Sequence, residues 1–364
     1  MTVLIRLLGW SLALAALCLL PGCGTVGYYW QSVNGHMQML SAARPVADVL
    51  QDAQTPAALK TRLELSQRLR SFAALELKLP DNPSYKRYAD LKRPSVVWNV
   101  VAAPEFSLTL KTWCFAAVGC VGYRGYFDEQ QARAEADKLA KEGFEVSVYG
   151  VPAYSTLGKL SWLGAFVSDP LLSTFINYPE GELAKLIFHE LAHQVAYAQD
   201  DTTFNESFAT AVERIGSRSW LAQQANPQTQ ASQAAFDKRR QQFRGLIQDT
   251  RRELGQIYAL NSPVDQELRA QAATKTIAMT KFKNSYQDLK NSWGSGVNAT
   301  GFDAWVANAN NASFGAQAAY DELVPGFEAL FEREQRDWQR FYDAVKQLAT
   351  QTKEQRRLAL KIEQ

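Results

Sequence analysis

LIFHELAHQVAYAQDDTTFNESFATAVERIG, Leu186 to Gly216, holds two of the chain's three histidines, His189 and His193. Leu183, Leu186, Ile187, Leu191 and Val195 recur around them at helical spacing, which predicts an amphipathic helix over 182–198. Residues four apart on a helix share a face, so both imidazoles can reach one metal ion. Glu190 adjoins the first of them and is placed to act on water at that metal rather than to ligate it. That is the mechanical content of His-Glu-x-x-His. The plain alternative is two histidines on an amphipathic surface with no metal, and the helical context argues against it.

A catalytic zinc needs a third protein ligand and an open position. His36 lies far upstream, so a carboxylate is expected. FNESFATAVERIG offers Glu206 and Glu213. Seven residues apart on a helix they stand about 10 Å apart along the axis, so one of them binds. Asn205 can help cap that helix, while Asp200 and Asp201 read as solvated residues of the turn between the helices.

Upstream of the histidines, residues 93–178 read as strands. SVVWNVVAA, FSLTLKTWCF and CVGYRGYF are short β-branched and aromatic runs, expected to pair as adjacent antiparallel strands. DEQQARAEADKLAKEG follows as a helix with acidic residues first and Gly143 as its stop. FEVSVYGV is a further strand, and LGAFVSDPLLSTFI a strand candidate with Pro170 at an edge or bend. Asp169 within it is placed to hold a substrate ammonium, or else begins the turn before Pro170. Residues 26–92 read as mostly helical, with Thr55-Pro56 starting one helix. From Ser217 onward the chain is helical again, interrupted around Gly294, Gly296 and Gly301 and kinked or broken at Pro325-Gly326. The Gln-rich stretch 223–242 fits a surface helix or a mobile loop equally. The fold class expected is helix-rich α+β, a small mixed sheet beside the histidine helix. The segments are a leader at 1–22, a helical N-terminal part at 23–92, an α+β catalytic region at 93–220 and a helical region at 221–364 integrated with it.

The first 23 residues have one basic residue, Arg6, then an apolar run from Leu7 to Leu20, and end in Leu20-Pro21-Gly22-Cys23. This is a secretory leader, shorter than the roughly 20 apolar residues of a comfortable membrane span. Its end resembles a bacterial lipobox, in which the cysteine, here Cys23, becomes the lipid-bearing N-terminus. Gly24 follows in place of aspartate, so the inner-membrane retention signal is missing and the outer membrane, facing the periplasm, is expected. Cys114 and Cys120 are then the only pair left, and in an oxidising compartment they read as a disulfide rather than two buried thiols. The 39 basic and 37 acidic residues leave a net charge of +2, and no basic block with interleaved aromatics points to nucleic acid.

Asn205-Glu206-Ser207-Phe208-Ala209 resembles the Asn-Glu-x-x-Ala motif of gluzincin metallopeptidases such as thermolysin, whose motif glutamate is the third zinc ligand. The resemblance implies Glu206 as that ligand and one zinc per chain, with Glu213 behind the ligands or as the alternative. The gap from His193 to Glu206 is shorter than in those enzymes, and Glu213 stands nearer their usual separation. LPGC, WCFAAVGCVGYRGYFDE, VPAYSTLGKLSWLGAFVSDPLLST, FNESFA and NNASFGAQAAYDELVPGF together resemble a bacterial family of membrane lipoproteins described as predicted aminopeptidases. The activity so implied is hydrolysis of peptide substrates, with Glu190 as general base and an oxyanion donor from a tyrosine. Tyr320 is the candidate donor, with Tyr154 and Tyr197 as rivals. A zinc endopeptidase, and a non-catalytic envelope lipoprotein acting as a binding scaffold, stand as alternatives; an intact Glu190 separates the enzymes from the scaffold.

Overall fold

The computed structural model describes residues 23–115, 119–155, 168–224, 226–259 and 265–361. The leader expected at 1–22, and the first five residues of LGAFVSDPLLSTFI, 163–167, lie outside these. In chain order the elements are α1 (Cys23–Ser41), β1 (Ala43–Pro45), α2 (Val46–Gln51), α3 (Ala57–Leu75), β2 (Arg87–Ala89), β3 (Val97–Pro104), β4 (Trp113–Phe115), β5 (Gly119–Val121) and β6 (Arg124–Tyr126). Then come α4 (Glu129–Lys141), β7 (Phe144–Val151), β8 (Leu171–Leu172), α5 (Glu180–Ala192), α6 (Thr202–Gln224), α7 (Pro227–Ala259) and α8 (Asp265–Ser292). The chain ends in α9 (Thr300–Ala307), α10 (Asn311–Asp321), α11 (Val324–Arg333), α12 (Trp338–Ala349) and α13 (Lys353–Ala359). The fold is helix-rich α+β with small sheets. Among the described residues no helix is long and apolar enough to cross a membrane.

Strand β3 is the centre of the larger sheet, antiparallel to β6 on one side and to β7 on the other, from Val97 opposite Val151 to Pro104 opposite Phe144. Alternation along β3 sends Trp98, Val100 and Ala102 against α4, and Val101 and Ala103 against Ala312 of α10. Both faces are covered, so β3 is buried along its length apart from Pro104 and reads as a continuous apolar run. Helix α4 begins where Asp128 accepts from the Gln131 N–H and ends at Gly143, whose φ of +88° suits only glycine well.

Two expectations about strands need correction. FSLTLKTWCF contributes only Trp113–Phe115, which pairs with β5 in a separate hairpin closed by the Cys114–Cys120 disulfide. The preceding residues are irregular and touch the sheet where the Lys111 N–H donates to the Ala102 carbonyl at 2.8 Å. The stretch before α5 contributes the two residues of β8, parallel to β2, which is itself antiparallel to β1. Strands β1 and β2 fall in the stretch read as mostly helical; three residues each are too short for a periodic signal.

Helix α5 packs between α3 and α6 and shares with the β1-β2-β8 sheet a core that runs from Met39 to Leu360. Phe204 and Phe208 of α6 are fully buried against Phe327 of α11, each stabilising by about 1.5–3 kcal/mol. Gly216 lets α6 approach closely: a Cβ there would meet Leu77 at 2.6 Å and Phe188 at 3.0 Å. Gly301 lies within α9 instead of interrupting the helical region, and Pro325 stands at the start of α11, where its missing N–H costs nothing.

Candidate metal centre

The helix predicted over 182–198 ends earlier, at Ala192, with His193 as its C-cap. Gln194 and Val195 donate to Leu191 and Ala192, the i→i+3 bonds that tighten and close a last turn. His193 keeps helical dihedrals, φ −58° and ψ −20°, so its four-residue phase with His189 survives. The chain then turns back under Asn205. Its Oδ1 accepts from the Ala198 N–H at 2.7 Å and its Nδ2 donates to the Ala198 carbonyl at 2.8 Å. Capping falls to Asp201, which accepts from the Phe204 N–H at 3.1 Å. Asp201 is therefore no solvated turn residue: its side chain is fully buried and paired with Arg356 at 2.9 Å and Arg357 at 2.7 Å. Asp200 is exposed, with φ +62°, and receives the Cys120 N–H, which pins the disulfide hairpin to this turn.

This short connection lays α6 against α5 and brings three donor atoms together. His189 Nε2 lies 3.2 Å from His193 Nε2 and 3.3 Å from Glu206 Oε2, and the third side of the triangle is 3.7 Å. Tetrahedral bonds of about 2.0–2.1 Å put ligand atoms about 3.3–3.4 Å apart, so the spacing suits zinc. Two imidazoles and a carboxylate are also the donor set of a catalytic zinc with one position left open. Among the described residues this is the group that could hold a metal ion.

Glu213, the rival carboxylate, is on the other side of the same ring. Its Oε2 is 3.0 Å from His189 Nδ1. Two glutamates two helical turns apart thus address the two nitrogens of one imidazole. With its proton on Nδ1 and donated to Glu213, the neutral ring would turn its Nε2 lone pair toward Glu206 and His193. His193 Nδ1 is buried and has no hydrogen-bond partner. Burial would depress the His189 imidazole, yet Glu206 and Glu213 hold its proton affinity well above the ordinary histidine value. Burial would likewise raise the Glu206 carboxyl, but His193 and His189 hold it below the usual range. The site is arranged for a positive charge.

The triad lines a cavity of about 660 Å³, within the size range of small-molecule sites. Glu190 faces it, and burial raises its carboxyl above the ordinary value, the histidines pulling the other way. Tyr320 also faces it. Its ring lies 6.4 Å from the His189 ring at 26°, and the Glu206 charge, then burial, push its hydroxyl well up, keeping it protonated. Helix α10 places it there. The Asn310–Ser313 capping box fixes the start of α10, and the Asn310 side chain bonds to the Val146 carbonyl of β7. Tyr154 and Tyr197 line the same cavity, as does Tyr123, which the sequence reading did not single out. Asp169 does not join them: it is buried, its carbonyl accepting from the Tyr85 N–H at 2.7 Å, and it is not among the cavity's lining residues. Arg240 of α7, in the stretch read only as Gln-rich helix or loop, and Arg244, in the helical region just beyond it, line the cavity too. Their spacing of four on one face was the available signal. The hairpin β4-β5 adds Phe115 and Val121 to the wall, so Cys114 and Cys120 bear on the cavity through their neighbours.

A family model described as "Putative aminopeptidase" matches residues 27–360. No curated protein and no solved structure matches the chain.

Proposed function

The chain belongs to the family described as "Putative aminopeptidase", and from that membership and the geometry of its site we propose that it is a zinc-dependent peptidase. The observation that carries the reading is the convergence of His189, His193 and Glu206 in a cavity that Glu190 also faces. A structural metal site has no use for that fourth group.

His189, His193 and Glu206 would hold the zinc. Once bound, the ion supplies Lewis acidity toward a peptide carbonyl and lowers the pKa of water. Glu190 takes the proton from the attacking water and returns it to the leaving amine. The raised affinity of its carboxyl for protons suits both halves of that task. The Tyr320 hydroxyl, protonated in the field of Glu206, donates to the carbonyl oxygen as charge develops on it. Glu213 orients His189. Asp169, buried and outside the cavity's lining, has no substrate contact in this reading.

The enzyme is anchored in the bacterial envelope through lipid on Cys23, a reading supported by Leu20-Pro21-Gly22-Cys23 and the apolar run before it. Gly24 favours the outer membrane. Whether the enzyme trims from the amino end, as the family's description has it, is tested with peptide pairs differing only in N-acetylation. An aminopeptidase cleaves the free peptide and spares its acetylated twin. Equal cleavage of both assigns an endopeptidase. Activity should vanish with a chelator and in Glu190→Gln; a Glu190→Gln chain as fast as its parent refutes the mechanism.

A further inference from the structure

We infer that Arg240 and Arg244 make one end of the metal cavity a carboxylate-binding subsite, which selects substrates bearing a carboxylate close to the bond to be cut. The inference rests on the peptidase reading and names its substrate class.

Gln233, Asp237, Arg240 and Arg244 fall on one face of α7, and that face meets Glu182 and Lys185 of α5. Arg240 bonds to Glu182, which also receives Lys185 at 3.0 Å; Lys185 reaches Asp237 as well. Asp321 of α10 takes Arg214 at 2.5 Å, Gln317 at 2.8 Å and Arg244 at 3.3 Å. By direct contact four cations share three carboxylates, and Glu213 acts on Arg240 and Arg244 from farther off. Of the four cations Arg244 is held most loosely. It contacts Asp321 through Nε alone, at the longest distance of the group. Among the described residues nothing bonds to its two terminal nitrogens, and its side chain, 23% exposed, lines the cavity. A guanidinium fork left open is the geometry that takes a carboxylate by two parallel bonds.

The carboxylates of the cavity point the same way. Glu182 is committed to Arg240 and Lys185, Glu213 to His189, Glu206 to the triad, and Glu190 to proton transfer. Among the described lining residues none is left for a substrate ammonium. The cavity complements a negative charge on the substrate. That charge is either the C-terminal carboxylate of a short peptide, which lies on the leaving-amine side of the bond, or an acidic side chain.

The test uses the full chain carrying Glu190→Gln, which removes the proposed base so that peptides bind without being consumed. Titration calorimetry, with and without zinc, compares trialanine, its C-terminal amide, and the same amide with aspartate as its last residue. A carboxylate-bearing peptide should bind about 10–100-fold tighter than the neutral amide. Which of the two gains identifies the terminal or the side-chain source. Adding Arg244→Gln should bring acid and amide within about twofold of each other. A preference that persists in Arg244→Gln puts the carboxylate elsewhere, on the bound zinc where it needs zinc and on another cation where it does not, and overturns the proposal. So does the absence of any preference in the parent chain, a comparison that stands even where the variant does not fold. Because binding is read without turnover, a wild-type chain that hydrolyses nothing refutes the peptidase reading separately.

Discussion

Replacing Glu206 by alanine should weaken zinc binding far more than replacing Glu213. The structure sets the ranking. Glu206 Oε2 is 3.3 Å and 3.7 Å from the two imidazole nitrogens, whereas Glu213 reaches only the far nitrogen of His189, at 3.0 Å. Four-ligand zinc sites bind with about 10–16 kcal/mol, so one ligand is worth roughly 2.5–4 kcal/mol, or about 10²–10³ in affinity. An orienting partner behind a ligand is typically worth about 10–100-fold. Glu206→Ala should therefore fall at or beyond the limit of what Glu213→Ala can lose. Competition with a chelating dye at fixed pH measures both, and thermal melting of the metal-free chains checks that neither variant has simply unfolded. A Glu213→Ala chain that loses more zinc than Glu206→Ala would refute the assignment and make Glu213 the ligand.

Asp201→Asn should destabilise the chain by about 3–5 kcal/mol, because it strands the buried Arg356; urea titration reads it. Burial would raise the Asp201 carboxyl, but Arg357 and Arg356 depress it below its unfolded value. Its contribution is therefore complete above about pH 4 and is lost as pH falls through the lowered folded value, so the variant's stability should be less acid-sensitive than wild type. Paired Cys114→Ser and Cys120→Ser substitutions should cost about 2 kcal/mol for so short a loop, seen as a lower urea midpoint. Cys23→Ser should release the chain from membranes, and fatty-acid label persisting in the variant would end the lipoprotein reading.

The metal centre was legible because a helix turns a four-residue spacing into a shared face, whatever surrounds it. Glu206 and Glu213 could not be ranked from spacing alone, since both are in fact held against His189, one at each nitrogen. The strand assignments failed where an element was two or three residues long, as at β8, or where chain alternated apolar and polar residues without pairing as a strand, as at residues 106–112. Asp201 misled because a turn aspartate looks solvated until the C-terminal arginines, some 155 positions away, close over it. Arg240 and Arg244 went unnoticed for a related reason. On a polar helix a charged residue reads as a solvated face, and only the identity of the facing helix shows that it lines a cavity.

Positions 189, 193 and 206 all lie within one helical hairpin, so bringing the ligands together closes only about a dozen residues of chain. Loops of that length close in about 10–100 ns, and lengthening them twofold would cost only about 0.6 kcal/mol. The walls of the cavity, by contrast, are drawn from Tyr28 through Tyr320. The metal-ligand candidates and the cavity walls thus depend on contacts of very different order along the chain. On the proposed zinc-peptidase reading, a chain whose distant helices have come apart is expected to keep those ligands adjacent while losing the walls that seat a peptide. Metal content of a preparation would then report the hairpin, and titration with a ligand that fills the cavity would report the assembled site.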